Sequence, residues 1–192
     1  MVKVFYRLSD SGYPKDKPNY VNNEKCLDNF LRNFLNLKNT DMCFTKDITI
    51  IADNVGEDTY NWLIGKGLNV ERTKLGSGAQ SFNYVLDKSL DLNDDSVVYF
   101  VEDDYLHRKN SAKVLLEGIE LGADYVTLYD HPDKFRDDIN PYVTEGGEDT
   151  KVFLTESCHW KFTNSTTMTF ASKVKTLKDD EEIIRKWTTG TH

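Results

Sequence analysis

Five apolar residues in a row, Val97-Val98-Tyr99-Phe100-Val101, lead directly into three carboxylates, Glu102-Asp103-Asp104, and this segment restricts the fold more than any other. β-branched and aromatic residues without polar alternation make a strand covered on both faces, and such strands belong to mostly parallel sheets with helices packed on either side. In open sheets of that kind, ligands bind outside the carboxyl ends of the strands. The triplet therefore sits where substrate chemistry is expected. Clustered carboxylates raise one another's pKa unless a cation compensates, and hard oxygen donors on one short loop suit Mg²⁺ or Mn²⁺. The same acids would also serve as an ordinary turn that caps the following helix, and the segment alone leaves both readings open.

The rest of the chain agrees with an α/β domain built on a mostly parallel, Rossmann-like sheet flanked by helices. Short β-branched and aromatic segments predict strands near 2–8, 47–52, 97–101 and 125–129. After Cys26-Leu27, the pairs Phe30-Leu31 and Phe34-Leu35 recur at four-residue steps and predict a crossover helix with one apolar face. A second helix is expected from about Ser77 to Leu90, with Ser77 and Gln80 spaced as a capping box, and a third over about 111–121. Residues 132–150 are rich in Pro, Gly, Asp and Glu and predict a long surface loop. Beyond them, 151–155 and 166–171 are expected as strands joined by an aromatic, polar segment containing His159-Trp160. A last helix is expected after Thr176, with Asp179 and Asp180 in its first turn.

A length of 192 residues fits a single domain spanning 1–192. The apolar runs are of strand length, so no transmembrane segment is expected. The first residues, Met1-Val2-Lys3-Val4-Phe5-Tyr6-Arg7, look like a strand and not a secretory signal, which makes the expected location cytoplasmic. Cys26, Cys43 and Cys158 lack close metal-ligand spacing and predict reduced thiols. A formal charge of −8 opposes attraction to nucleic-acid phosphates, so no nucleic-acid partner is expected. The last residues, Thr188-Thr189-Gly190-Thr191-His192, follow a helix with no further strand. That ending predicts a piece of a longer protein, with functional residues beyond His192.

Other strand ends add to the acidic triplet. The first strand ends in Arg7-Leu8-Ser9-Asp10 and the second in Ala52-Asp53-Asn54, so Arg7, Ser9 and Asp53 are candidates to bind a nucleobase, ribose or phosphate on the same edge. The turn Lys74-Leu75-Gly76-Ser77-Gly78-Ala79-Gln80-Ser81 opens into a helix. Its small residues let an anion approach free backbone N–H groups, which makes Ser77, Gly78 and Ser81 candidates as well. The spacing is neither G-x-G-x-x-G nor a P-loop. His107, His131 and His159 lack H-E-x-x-H spacing, which argues against a zinc hydrolase.

With these residues in place, the chain resembles family 2-like glycosyltransferases of the GT-A fold. The likeness is carried by Asp53 after the second strand, the glycine-containing turn before a helix with Asn83, and Val101-Glu102-Asp103-Asp104-Tyr105 in the position of the D-x-D signature. The stretches Tyr129-Asp130-His131-Pro132-Asp133-Lys134, Cys158-His159-Trp160-Lys161 and Thr166-Thr167-Met168-Thr169-Phe170 look like a bacterial and viral subgroup. The resemblance implies that Asp104 binds a metal, Mn²⁺ or Mg²⁺, and that Glu102 and Asp103 face the ribose or sugar. It also implies a nucleotide-sugar donor, with UDP-sugar favoured, a glycan acceptor, and inversion at the anomeric carbon.

An inverting transferase needs a general base on the acceptor hydroxyl. Glu156, ahead of His159-Trp160, is the candidate, with Asp130 second, and the usual base is expected to lie beyond His192. Two other readings stand beside this one. A sugar-phosphate nucleotidyltransferase also joins a nucleotide site to acids, but Ser9-Asp10-Ser11-Gly12-Tyr13-Pro14-Lys15 is poor in the glycine that such an enzyme carries after its first strand. A noncatalytic nucleotide- or glycan-binding module would bind without turnover.

Overall fold

The computed structural model describes residues 2–11, 17–34, 47–132, 151–163 and 166–189. The expected loop over 132–150 lies outside the described residues except for Pro132, as do Leu35 and Cys43. In chain order the elements are β1 (Val2–Leu8), α1 (Asn23–Phe34), β2 (Ile48–Asp53), α2 (Glu57–Gly65), β3 (Asn69–Thr73), α3 (Gly78–Leu90) and β4 (Val97–Glu102). These are followed by α4 (Ser111–Glu120), β5 (Tyr125–Val126), β6 (Val152–Leu154), β7 (His159–Lys161), β8 (Phe170–Lys173), α5 (Val174–Asp179) and α6 (Glu181–Trp187).

Six strands form one sheet in the order β3-β2-β1-β4-β8-β5, and β6 and β7 form a separate antiparallel hairpin. β1 pairs in parallel with both β2 and β4, and β2 with β3. β8 is antiparallel to β4 and to β5. Two consequences fix the site. The chain builds outward from β1 through β2 to β3 and then returns to the other side of β1, so the strand order reverses between β1 and β4, where such sheets open a ligand crevice. Because β8 is reversed, its beginning lies on the same edge as the ends of the other strands.

Alternation along β1 and β4 sends side chains to two separate cores. Val4, Tyr6, Leu8, Tyr99 and Val101 pack with Leu27, Phe30 and Phe34 of α1 and with Ala112 and Leu115 of α4. Phe5, Val98 and Phe100 pack on the opposite face with Phe82, Val85 and Leu86 of α3 and with Val174 and Leu177 around α5. The continuous apolar run of β4 is thus explained by burial on both sides. Ser77 caps α3 with an extended backbone (φ −155°, ψ 159°), and its side chain accepts a hydrogen bond from Gln80 N, as the spacing predicts.

Several boundaries differ from the sequence reading. β3 and α2 were not anticipated: β3 is an edge strand, Asn-Val-Glu-Arg-Thr, with no fully buried residue, and α2 fully buries only Leu63. The strand near 125–129 is confined to Tyr125–Val126, the strand over 166–171 starts at Phe170, and 151–155 narrows to β6. The last helix starts at Val174 and breaks at Asp180 (φ −101°, ψ 3°), whose carboxylate accepts from the Tyr125 hydroxyl at 2.6 Å. Asp179 therefore ends α5, and Glu181 and Glu182 take the first turn of α6. His159-Trp160 lies in β7, where Trp160 packs against the core beside Gly118. Among the described residues, no helix is long and apolar enough to cross a membrane. Cys26 is buried and Cys158 half-buried, and both are free thiols.

Candidate functional site

The crevice at the end of β1 and β4 is organised by a buried arginine. Parallel register sets Arg7 directly beside Glu102, and Arg7 Nη2 lies 3.3 Å from Glu102 Oε1. Arg7 Nη1 donates to the Gly78 carbonyl at 3.2 Å, which ties β1 to the first turn of α3, and the guanidinium lies 5.6 Å above the Phe82 ring. The residue is 7% exposed, and its Nε has no hydrogen-bond partner. Burial lowers the Arg7 pKa, while Glu102, Asp103 and Asp104 raise it by stabilising the cation. The acidic triplet thus has an internal counter-charge held beneath it.

The three carboxylates have separate surroundings. Glu102 pairs with Arg7, and its backbone N–H donates to Thr169 Oγ1 at 3.1 Å, which joins the triplet to the start of β8. Asp103 accepts from Ser9 N at 2.9 Å. Burial pushes the Asp103 pKa up, whereas that hydrogen bond, Lys17 and Arg7 hold it down. Asp104 is partly exposed and lies 3.3 Å from Lys17 Nζ. Arg7, Ser9, Glu102, Asp103 and Asp104 are thereby brought together as one connected group, with the Gly78 carbonyl at its margin.

Asp53 is buried at the end of β2, and its Oδ1 accepts from Thr73 Oγ1 at 3.0 Å and from Leu75 N at 2.8 Å. It fixes the turn that leads to Ser77. Ser77 spends its hydroxyl on the helix cap. Ser81 is 5% exposed in the first turn of α3, on the face that also carries Phe82 and Val85. Glu156 lies on the turn of the β6–β7 hairpin with its side chain 81% exposed, and its carboxylate pairs with Lys113 of α4 at 3.0 Å and not with the triplet. Asp130 is exposed just beyond β5.

Four residues were missed or underused by the sequence reading. Lys17 is separated from Asp104 by nearly half of the chain, and no local pattern announces the pair. Asp10 accepts from Gly56 N at 2.8 Å and from Thr59 Oγ1 at 3.0 Å, and so ties the end of β1 to the start of α2. Tyr105 and Tyr129 form an edge-to-face pair at 5.3 Å, and Tyr129 meets His131 at 5.5 Å. Burial, then the charges of Glu102 and Asp104, push the Tyr105 hydroxyl up to about 12. Their signal was present in the sequence, in the aromatic residue after the triplet and in Tyr129-Asp130-His131.

Among the described residues, no three His, Cys, Asp or Glu side chains converge as a ready-made cation cage. The donor set suits a different arrangement. Of the three acids, Asp104 is held neither by Arg7 nor by the backbone but by the partly exposed Lys17, which a Mg²⁺-like ion would displace, such ions being commonly held by one or two carboxylates plus substrate phosphates and water.

No protein-family model matches the sequence, and no curated protein does. Among solved structures, glucosyl-3-phosphoglycerate synthase from Mycobacterium tuberculosis, in complex with uridine diphosphate, superposes with a TM-score of 0.51 at 11% identity, over 97% of this chain and 67% of that one. At that identity the likeness establishes the fold alone: this chain shares with a glycosyltransferase a Rossmann-like, mostly parallel sheet flanked by helices.

Proposed function

We propose that the protein is a glycosyltransferase that moves a sugar from a nucleoside diphosphate donor, UDP-sugar favoured, to a glycan hydroxyl, with Mn²⁺ or Mg²⁺ and with inversion. The observation that carries this reading is the set of contacts Arg7–Glu102, Ser9–Asp103 and Lys17–Asp104 at the point where strand order reverses. It gains support from a shared fold with an enzyme solved with uridine diphosphate. Asp53, Ser9 and the Gly76-Ser77-Gly78 turn flank the place for the nucleotide, and Glu102 and Asp103 that for the ribose or sugar. Asp104 is the residue to hold the cation, whose chemistry is to neutralise the diphosphate as it leaves. Arg7 holds Glu102 in place, so that hydroxyl groups meet an oriented acceptor rather than a mobile carboxylate. Tyr105, directly after the triplet, pairs with Tyr129, which meets His131, and aromatic faces suit a sugar ring. The acceptor's proton is assigned to Glu156 only through movement of the hairpin, since its carboxylate is engaged with Lys113.

The test is calorimetric titration of UDP, GDP and their sugars, with and without Mn²⁺, beside Asp104→Ala. The expected result is binding of a uridine nucleotide that Mn²⁺ strengthens and that Asp104→Ala weakens at least tenfold in the presence of metal. Equal binding by wild type and Asp104→Ala, or none by either, overturns the reading.

A further inference from the structure

The loop that carries Asp103 and Asp104 runs from β4 to α4 without regular structure, and within it the burial pattern is inverted. Leu106 is 44% exposed, whereas the adjacent His107 is 8% exposed and is the only buried residue between Asp103 and Asn110. Apolar side chains outrank histidine for burial, so a local hydrophobic preference would place Leu106 inward. The contacts of His107 explain the reversal. Its backbone N–H donates to Asn29 Oδ1 at 2.6 Å, and its carbonyl accepts from Asn29 Nδ2 at 3.0 Å and from Asn33 Nδ2 at 3.3 Å. Asn29 and Asn33 stand one turn apart on α1, so a single helix face clamps both polar groups of one residue. The imidazole packs edge-on to Phe30 and Phe34 at 5.3 and 5.1 Å, and its Nε2 shares a 2.9 Å hydrogen bond with the Tyr99 hydroxyl.

We propose that His107, clamped by Asn29 and Asn33, is the positioning residue of the acidic loop, fixing where Asp103 and Asp104 stand relative to the nucleotide site. This rests on the donor reading given above. The geometry is that of a two-point suspension. Asp103 is tied at one end to Ser9 N on β1, and three residues beyond Asp104 the chain is pinned to α1, with Asn110 in a left-handed conformation (φ 67°) turning it into α4. With the second tether removed, the carboxylate assigned to the cation is left to the Ser9 contact, the Lys17 ion pair and the Tyr105–Tyr129 ring contact next to it. A part-exposed ion pair is a weak restraint. Metal-assisted sites lose affinity when the groups behind a ligand are removed, by about 10–100-fold.

The experiment compares wild type, Asn29→Ala and His107→Phe. Asn29 is a half-buried helix-surface residue, so its variant keeps the core intact, and His107→Phe keeps the ring while removing the Tyr99 bond. Hydrogen exchange of the 103–110 amides reads the clamp without any ligand. Calorimetry of UDP with and without Mn²⁺ reads its functional consequence. The expected result for Asn29→Ala is at least tenfold faster exchange at His107 with β4 unchanged, together with a roughly tenfold weaker Mn²⁺-dependent gain in UDP affinity and an unchanged metal-free UDP affinity. A purely structural role would lower both affinities together, and that outcome overturns the proposal, as does unaltered exchange of the loop or faster exchange with an unaltered Mn²⁺ gain. Failure of the wild type itself to bind UDP overturns the donor reading and the positioning role with it, whereas failure confined to the variants' comparison overturns the positioning role alone.

Discussion

Among the places where a basic side chain is held against a glutamate, the crevice and the hairpin differ in almost everything else. At the crevice, Arg7 is 7% exposed and Glu102 35%, both are set by strand register, and the guanidinium also reaches α3. At the hairpin, Lys113 is 44% exposed and Glu156 81%, and the pair joins the tip of β6–β7 to α4 through flexible side chains. The first arrangement places desolvated charge at a fixed point, which is what recognition of an anionic, hydroxyl-rich ligand requires. The second is a solvated contact. The difference shows why proximity of opposite charges alone does not mark a site: the backbone must fix the partners, and burial must make the loss of one consequential.

The largest expected effect is therefore that of Arg7→Met, which leaves Glu102 beside an apolar side chain at the edge of the core. Breaking a fully buried pair from one side costs about 3–5 kcal/mol, and the 35% exposure of Glu102 brings the expected loss to the low end of that range. Denaturant unfolding should show that loss as a lower midpoint. A change below about 1 kcal/mol would mean that water reaches Glu102 freely and that the two regions are alike after all.

Next comes the buried imidazole. Burial holds the His107 pKa down at about 4, against an ordinary value of 6.5, and no charged group contributes to that shift. Between those two values the unfolded chain binds a proton that the folded protein refuses, so stability rises with pH and is lost as pH falls from about 6.5 to about 4. The slope is about 1.4 kcal/mol per pH unit for a single group. Unfolding free energies measured across that window should fall for wild type, and His107→Phe should remove that part of the slope. An unchanged slope in the variant would assign the acid sensitivity to the carboxylates.

A smaller effect tests how firmly the hairpin is seated. A Cβ added at Gly118 of α4 would stand 2.5 Å from Trp160 Cη2 and 2.8 Å from Val126 Cγ1, closer than packing allows. Ser157 N and Oγ also donate to Glu117 at 3.0 and 2.7 Å on the same helix. Gly118→Ala is expected to cost about 1–3 kcal/mol through overpacking. Trp160→Leu in the same chain should recover part of it. No recovery would show that Val126 and the sheet, and not the hairpin, take the strain.

What was legible in advance follows the same division. β4 with its acids could be read because burial on both faces writes a continuous apolar run, and α1 and α3 because each has one strongly apolar face. β3 and α2 could not, since an edge strand and a helix with a single fully buried residue carry little periodicity. Ser81 stands one turn before Val85 on the inward face of α3, a placement that follows from helical phase and not from the composition of the turn. The pairs that join the site, Arg7 with Glu102 and Lys17 with Asp104, are products of strand order. No local pattern contains them.

The smallest structural effect belongs to Glu156, and it is the most informative about chemistry. Glu156→Gln alters one exposed carboxylate whose partner, Lys113, remains solvated, so thermal unfolding and UDP binding should not move measurably. Activity can still change. A general base contributes about 10²–10⁴ to rate, so loss of that order in kcat with unchanged donor KM would place the hairpin over the acceptor during turnover. Lys113→Met then becomes the deciding companion, because freeing Glu156 from its ion pair should raise or preserve kcat if the hairpin must move to deliver it. Unchanged kcat in Glu156→Gln would leave the hairpin with a structural role only, and would make Asp130, exposed beyond β5 on the edge that carries the triplet, the next carboxylate to replace.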